Sequence, residues 1–467
     1  MTQDEITKIS KFYFVGAGGI GMAALERYFL SQGKRVAGYD RTRTALTDHL
    51  EDEGAALTFS PEAENIPEEF RNPADTLVIF TPAVPADLPI LQYFKERGHR
   101  IIKRAEALGI VTLGSEALCF AGTHGKTTTS SMAAHILTTG QAKCNAFLGG
   151  ELRNYDSNFL LAPSSPYSVI EADEFDRSFH HLSPKVAVIT ATDPDHLDIY
   201  GTEEAYLESF AHFTELISAD GYLLLHTGLK LVPRPKDTVT VHTYSRDEGT
   251  FHAANIRRGD GTIVFDFVDN RPGHDNITDI ELGVPVEINI ENAVAAIAAT
   301  RLTGRVDDES IRRAIASYQG AERRFQFWLK EPLPGGHVLI DDYAHHPDEL
   351  RQSIASVKAL YPGRHLAVAF QPHLYSRTRD FAPQFAQALS AADTVLLLDI
   401  YPARELPIPG VTSDIIFNDI TAARKLRTTR DTLVQTVGTI DFDVLLTVGA
   451  GDINTQLPAL VNAIRTR

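Results

Sequence analysis

The stretch Phe12-Tyr13-Phe14-Val15-Gly16-Ala17-Gly18-Gly19-Ile20-Gly21 decides the fold class. Four apolar residues in an unbroken run read as a strand buried on both faces, as in a parallel sheet. The glycines that follow have the spacing G-x-G-x-x-G and open a helix. Asp40 ends the next apolar strand, nineteen residues after Gly21. Glycine permits the tight turn, the helix N-terminus offers backbone N–H groups to a phosphate, and an acid ending the second strand can accept a ribose hydroxyl. Gly16, Gly18, Gly19, Gly21 and Asp40 therefore outline a site for a nucleotide diphosphate. NAD is the common occupant of such a loop. A tight turn with glycines chosen for packing is the bland alternative.

The same texture runs along the chain. Arg35–Tyr39 and Thr76–Phe80 read as further strands, and the pattern restarts at Ala117–Ala121, with Tyr167–Ile170 and Val186–Thr190 after it. It restarts again at His337–Asp341, followed by His365–Phe370, Thr394–Leu398 and Val444–Val448. Strands that end in Gly, Asp or Pro and pass into helical patterns are the βαβ signature of α/β proteins. Residues 221–285 differ: short runs alternate apolar and polar, as in Thr262–Phe267, with a turn at Gly259-Asp260-Gly261. That predicts a small antiparallel sheet inserted in or appended to the second domain, before helices over Asn289–Thr300 and Glu309–Tyr318. At about 100–200 residues per domain, 467 residues make roughly three domains. Boundaries fall near residues 114 and 322, giving 1–114, 115–321 and 322–467 with short hinges.

Composition narrows the function. Forty-four Lys and Arg against 61 Asp and Glu give a net charge of −17, which argues against non-specific binding to nucleic acid or anionic membrane. With 43% apolar and 22% charged residues, a largely disordered chain is excluded. Two cysteines, Cys119 and Cys144, exclude a disulfide scaffold and a cysteine zinc cluster. Met1–Ser10 has no signal-peptide core, and no apolar run approaches the ~20 residues of a membrane span. A soluble cytoplasmic protein is expected, as a monomer or homodimer.

The strongest local signal is Gly122-Thr123-His124-Gly125-Lys126-Thr127-Thr128-Thr129, between a strand and the helical run Ser130–Leu137. Two glycines let backbone N–H groups converge on phosphate oxygens, Lys126 adds charge at the β- and γ-phosphates, and Thr127 offers a hydroxyl to Mg²⁺. Phe120 stands where the usual P-loop has its first glycine, so the loop is a shortened variant for a nucleoside triphosphate. Two acidic clusters follow neighbouring strands: Glu171-Ala172-Asp173-Glu174, and Asp193-Pro194-Asp195-His196-Leu197-Asp198. Carboxylates at the C-terminal edge of such a sheet are placed to hold Mg²⁺. In the third block, Asp341-Asp342-Tyr343-Ala344-His345-His346-Pro347 and Gln371-Pro372-His373-Leu374-Tyr375-Ser376-Arg377-Thr378-Arg379-Asp380 end strands. Arg324 lies at the hinge, where a guanidinium can reach a phosphate as domains close. Together these predict a cleft with nucleotide on one wall and another reactant on the other.

Taken in order, G-x-G-G-I-G-M, G-T-H-G-K-T-T-T, E-A-D-E, D-P-D-H-L-D, E-R-R-F, D-D-Y-A-H-H-P and Q-P-H-x-Y-S-R-T-R-D resemble the Mur ligases, most closely the alanine-adding branch. The resemblance spans Gly16 to about Asp452 and includes Ala403-Arg404-Glu405-Leu406-Pro407 and Val448-Gly449-Ala450-Gly451-Asp452. It implies a Rossmann-like N-terminal domain, a central ATP-binding domain and a C-terminal Rossmann-like domain that binds the amino acid. It implies an ADP-forming ligase, with ATP and Mg²⁺, that joins L-alanine to UDP-N-acetylmuramate through an acyl phosphate. Gly16, Gly18, Gly19, Gly21, Asp40 and Arg104 would then face the UDP sugar. Gly122, Thr123, His124, Gly125, Lys126, Thr127, Thr128, Asn289, Asn292, Arg324 and Asp342 would face ATP. Thr127, Glu171 and His196 would hold metal; Tyr343, His346 and Arg377 would bind the amino acid. Lys126, Glu171, His196, Arg324, His345 and His346 would carry the chemistry, with either His345 or His346 handling the amine.

Three departures from the family pattern stand out. Val286 and Ile288 replace a Gly-x-His before the asparagines, no lysine occurs between Lys185 and Lys230 for carboxylation, and Pro82 removes an N–H from a hydroxyl-rich loop read as Thr81-Pro82-Ala83-Val84. Rival readings are a recycling ligase that adds a preformed tripeptide to the same sugar, a non-catalytic nucleotide sensor, and an NAD-dependent oxidoreductase. The last leaves Lys126, Glu171 and His196 without work.

Overall fold

The computed structural model describes residues 8–81, 84–259, 261–320, 325–403 and 405–466, the side chains of Leu197 and Asp198 excepted. The chain forms two compact units. One holds the residues up to Ala253 with Phe267–Ile277 and Glu291–Ile315; the other holds Ala254–Asp266, Thr278–Ile290 and Ala316 onward. Among the described residues the strands form three sheets with helices between them, which bears out the α/β class.

In the first sheet, β1 (Lys11–Val15), β2 (Arg35–Tyr39), β3 (Ala56–Thr58), β4 (Thr76–Phe80) and β5 (Arg100–Lys103) take the order β3-β2-β1-β4-β5. Each neighbouring pair is parallel. The opening apolar run explains itself here. Phe12 stacks on Phe29 of the helix Ile20–Ser31 at 3.8 Å, while Tyr13, pointing to the opposite face, meets Phe94 of the helix Pro89–Glu96 at 4.8 Å. Both faces are covered, so alternation is lost and Phe12 to Val15 are fully buried. The strand order reverses between β1 and β4, which opens a crevice beyond their carboxyl ends, where Gly16 begins its turn.

The second sheet is built around β6 (Glu116–Ala121). It includes β7 (Asn145–Leu152), β8 (Ser157–Leu160), β9 (Tyr167–Glu171), β10 (Val186–Ile189), β11 (Tyr222–His226) and β12 (Thr240–Tyr244), in the order β12-β11-β10-β6-β9-β7-β8. β9 and β10 flank β6 in parallel, and β8 closes the edge antiparallel to β7. The ends of β6, β9 and β10, which carry the motifs, thus lie side by side. β13 (Phe251–Gly259), β14 (Thr262–Asp269) and β15 (Ile277–Glu281) are neighbours in chain order. This is the small sheet expected within residues 221–285, and it is appended to the main sheet, since β13 joins β12 at the pair Tyr244↔Phe251.

The third sheet has the order β16-β17-β21-β18-β19-β20, formed by β16 (Gln326–Lys330), β17 (Val338–Asp342), β18 (Leu366–Phe370), β19 (Thr394–Leu397), β20 (Arg424–Arg427) and β21 (Val444–Val448). Only β16 runs antiparallel to its neighbour. The segments after β17, β18 and β21 therefore emerge together. No helix among the described residues is long and apolar enough to cross a membrane.

Candidate active site

The first glycine loop is shaped by close approach. Gly16 leaves β1 at φ +92°, and a Cβ there would stand 2.5 Å from Thr81 Cγ2. Gly19 caps the helix Ile20–Ser31. The Gly18 N–H donates to Asp40 Oδ2 at 2.7 Å and the Thr42 N–H to Asp40 Oδ1 at 3.0 Å. Asp40 thus braces the loop, while a carboxylate with about four lone-pair sites keeps capacity for a ligand hydroxyl. Arg104 lies against the same turn: a Cβ on Gly21 would fall 2.7 Å from Arg104 Nη1. A guanidinium beside a helix N-terminus makes an anion site. Gly21→Ala should therefore displace the flexible arginine tip and leave the fold intact. If this turn and Arg104 face a UDP sugar, as the resemblance implies, the expected result is an unchanged melting temperature and a UDP-sugar KM raised about tenfold, the loss of one charged hydrogen bond. An unchanged KM would remove Arg104 from the sugar site.

At the second loop, left-handed Gly125 (φ +82°) starts the helix Lys126–Thr139, four residues before the apolar periodicity begins. Gly122 (φ +139°) has no room for a Cβ, which would stand 2.2 Å from Thr190 Oγ1 and 2.7 Å from Ala191 N. The Thr190 hydroxyl donates to the carbonyls of Ala121 and His124, and the Thr123 N–H donates to Ala191 O at 3.1 Å, so the end of β10 holds the loop's curve. The N–H groups of Lys126, Thr127 and Thr128 precede the first full helical turn, the position that receives anions. The Thr127 hydroxyl donates to Glu171 Oε1 at 3.0 Å, and the Gly149 N–H donates to Glu171 Oε2 at 2.8 Å. Burial pushes the Glu171 carboxyl up, against the pull of those two hydrogen bonds and of Lys126. Lys126 Nζ donates to Gly122 O at 2.6 Å and pairs with Glu174 at 2.8 Å. Asn292 Oδ1 accepts from the Thr129 hydroxyl at 3.2 Å, tying the asparagine motif to the loop's helix.

His196 has φ +52° and lies edge-on to Phe175 at 5.2 Å, with Asp195 Oδ2 3.8 Å from its Nε2. No described contact joins it to Thr127 or Glu171. Among the described residues, no group of three or more His, Cys, Asp or Glu side chains is arranged to hold a metal by itself. Gly149, Thr190 and Tyr206 complete this site but were not singled out from sequence. Gly149 left a trace, a Gly-Gly pair inside a strand pattern; a Cβ there would lie 2.4 Å from Glu171 Oε1.

In the other unit, Asn289 donates through Nδ2 to Val284 O at 3.1 Å, and Ile288, in the place of the family's histidine, is exposed. Asp342 ends β17 with Oδ1 accepting the N–H groups of Phe325 (3.1 Å) and Tyr343 (3.0 Å) and Oδ2 accepting the Ser353 hydroxyl. Burial nonetheless pushes its carboxyl up. His346 caps the helix Pro347–Leu360, its Nδ1 accepting the Asp348 N–H at 3.4 Å. His345 Nδ1 lies 3.1 Å from the Tyr343 carbonyl, and its ring faces those of Tyr343 (5.3 Å) and His373 (6.2 Å). Gln371 ties the ends of β18 and β21 together, donating to Asp452 Oδ1 at 2.8 Å and accepting from the Ile453 N–H at 2.9 Å. Arg377 sits on the helix Tyr375–Leu389 with Nη1 buried and, among the described residues, without a hydrogen-bond partner. Arg324 and Pro82 lie outside the described residues.

Known proteins match this arrangement along its length. Residues 11–115 match the model of the Mur ligase family catalytic domain, 120–300 the Mur ligase middle domain, and 323–451 the Mur ligase glutamate ligase domain. The chain is 52% identical to the UDP-N-acetylmuramate–L-alanine ligase of Phocaeicola vulgatus, over 99% of this chain and 100% of that protein. It is 54% identical to that of Parabacteroides distasonis, over 96% of each. The crystal structure of the UDP-N-acetylmuramate–alanine ligase of Thermotoga maritima superposes with a TM-score of 0.73 at 26% identity, over 98% of this chain and 99% of that one. A murein peptide ligase of Psychrobacter arcticus shares the fold at 21% identity, with a TM-score of 0.58 over 97% and 98%.

Proposed function

The chain belongs to the Mur ligase family, and we propose that it joins L-alanine to the lactyl carboxylate of UDP-N-acetylmuramate while ATP is cleaved to ADP and phosphate. The observation that carries this reading is the convergence of Lys126, Thr127 and Glu171 at the loop after β6, a phosphate cradle with a carboxylate beside it. The names of the full-length relatives support the choice of sugar and amino acid. Boundaries near residues 114 and 322 belong to this reading, and matched ranges of 11–115, 120–300 and 323–451 support them. Nucleotide substrates favour the cytoplasm.

A carboxylate is a poor electrophile, so it must first be activated. A lactyl oxygen attacks the γ-phosphorus and ADP leaves, forming an acyl phosphate. The alanine amine then attacks the acyl carbon, and phosphate leaves from the tetrahedral intermediate. Lys126 and Arg324 neutralise charge on the transferring phosphoryl group. Thr127 and Glu171 supply two hard oxygen donors suited to Mg²⁺, which binds through one or two protein groups plus substrate phosphates. When bound, Mg²⁺ supplies charge neutralisation at those phosphates. His196 is retained as a metal-side residue on the family motif alone.

The hydrogen bonds support a division of labour between the two adjacent histidines as part of this reading. Nδ1 of His345 donates to the Tyr343 carbonyl, which leaves Nε2 a lone pair to take the amine's proton. Nδ1 of His346 accepts from Asp348, so its Nε2 carries hydrogen and serves as a donor. Arg377 holds the alanine carboxylate, with Tyr343 beside that site.

ADP release measured with UDP-N-acetylmuramate and L-Ala, Gly, L-Ser or tripeptide tests the assignment. L-Ala should support the fastest release, and a preference for tripeptide would transfer the chain to the recycling branch. The sugar should carry ¹⁸O in its carboxylate: label is expected in the released phosphate, and unlabelled phosphate would sink the acyl-phosphate route.

A further inference from the structure

Resting on the reading of Lys126 as an ATP contact, we infer that Glu174 is a positioning residue that holds this lysine back on its own loop and competes with the triphosphate for it. Lys126 Nζ is engaged on three sides: by Gly122 O at 2.6 Å, and by Glu174 Oε1 and Oε2 at 3.0 and 2.8 Å. The Glu174 side chain is 1% exposed and that of Lys126 15%, so this is no solvated surface pair. Glu174 is itself fixed from several directions. Its carbonyl accepts the Tyr200 hydroxyl, and its Oε1 lies 3.5 Å from the hydroxyl of buried Tyr206. Tyr206 also hydrogen-bonds the Thr123 hydroxyl at 2.9 Å, which in turn donates to Asp193 O at 2.7 Å. The phosphate loop, the end of β9 and the helix Glu203–Glu215 are thereby joined through one carboxylate.

The chemistry of this pair is a switch. A lysine stem has the reach to swing its ammonium from a carboxylate to nearby phosphates. When it does, Glu174 keeps a buried negative charge with, among the described residues, only the Tyr206 hydroxyl at 3.5 Å to stabilise it, which opposes binding. Only a ligand with enough phosphate charge at the β and γ positions draws Lys126 away. Once the γ-phosphoryl group has left, the carboxylate recaptures the ammonium and favours departure of ADP. Glu171 is already engaged by Thr127 and Gly149, so the acid three residues later is free for this separate task.

The test is calorimetric titration of the full chain with the non-hydrolysable triphosphate AMPPNP in MgCl₂, and with AMP, which lacks β- and γ-phosphates. Glu174→Gln keeps the shape and removes the charge; Glu174→Asp keeps the charge and withdraws it by one methylene, and serves if the amide variant does not fold. Each should bind AMPPNP about three- to tenfold more tightly than the parent, equivalent to ~0.7–1.4 kcal/mol, with AMP affinity unchanged. A purely structural acid would give weaker binding of both ligands, and AMPPNP affinity equal to or weaker than the parent's overturns the proposal. Lys126→Ala is titrated alongside: weaker AMPPNP binding is expected. Unchanged binding there would instead overturn the reading of the phosphate loop, and the competition with it.

Discussion

Lys126→Ala is expected to lower kcat/KM for ATP by about 10³-fold while UDP-N-acetylmuramate binding stays within about twofold, because a charge brought onto a transferring phosphoryl group is worth that much. The two substrates reach separate loops. On the proposed reading, the sugar is met by Gly16 to Gly21 after β1 together with Arg104 after β5, and ATP by Gly122 to Thr128 after β6. Steady-state ADP release and direct titration with the UDP sugar separate the two effects. One complication is predictable. Removing Lys126 strands the buried Glu174 carboxylate, and an uncompensated buried charge costs as much as about 3–5 kcal/mol. The single variant should therefore melt at a lower temperature. The double variant Lys126→Ala, Glu174→Gln removes both charges and should recover much of the melting temperature while remaining inactive. Recovery of activity in the double variant would mean that the single change acted through stability, and would remove Lys126 from the chemistry.

Much of this site was legible because it consists of strand ends. Arg35–Tyr39, Thr76–Phe80 and Val444–Val448 appear as read from the apolar runs; the run His337–Asp341 is shifted by one residue at both ends, Thr262–Phe267 stops two residues short, and the other strands named from sequence differ by one residue at one end. In a parallel sheet, burial on both faces makes a strand a continuous apolar block, and the first polar or glycine residues after it fall at the carboxyl edge. Hence Gly16, Gly122, Glu171 and Asp342 could be found without knowing the topology. What escaped depends on contacts between distant segments. Glu174 was visible only as part of an acidic cluster; that it closes on Lys126, 48 residues away, follows from β9 lying beside β6. Tyr206 lies in a helix whose pattern advertises only a buried face, and its hydroxyl partners are set by packing. The helix after the phosphate loop was read four residues late, since Lys126 to Thr129 carry no apolar periodicity and left-handed Gly125 alone marks the start. Whether the small sheet over β13–β15 is inserted in the second domain or appended to it is not legible in the sequence, because alternation reports one solvated face, not which neighbour the edge joins.

Arg377→Ala should raise KM for L-alanine by about 10²-fold, the effect of losing a charge-assisted, bidentate contact of ~2–3 kcal/mol, and leave KM for ATP unchanged. The structure supplies the reason. Arg377 Nη1 is buried and lacks a hydrogen-bond partner among the described residues, although an unpaired charged donor is costly to keep out of water. A carboxylate arriving there restores the missing bonds, and little reorganisation is needed because Arg377 stands two residues into a helix. Glu405 holds that helix start, accepting the Ser376 N–H at 3.0 Å and the Ser376 hydroxyl at 2.5 Å. Arg377→Lys is the informative companion. A lysine retains the charge but presents a single ammonium in place of the planar fork, so its KM should fall between those of the parent and the alanine variant. Amines without a carboxylate give the complementary measurement: they should be poor substrates of the parent and should lose nothing further in Arg377→Ala. If KM for L-alanine holds steady while kcat falls for every amine, Arg377 acts on the phosphoryl group and the amino acid's carboxylate must be bound by another cation.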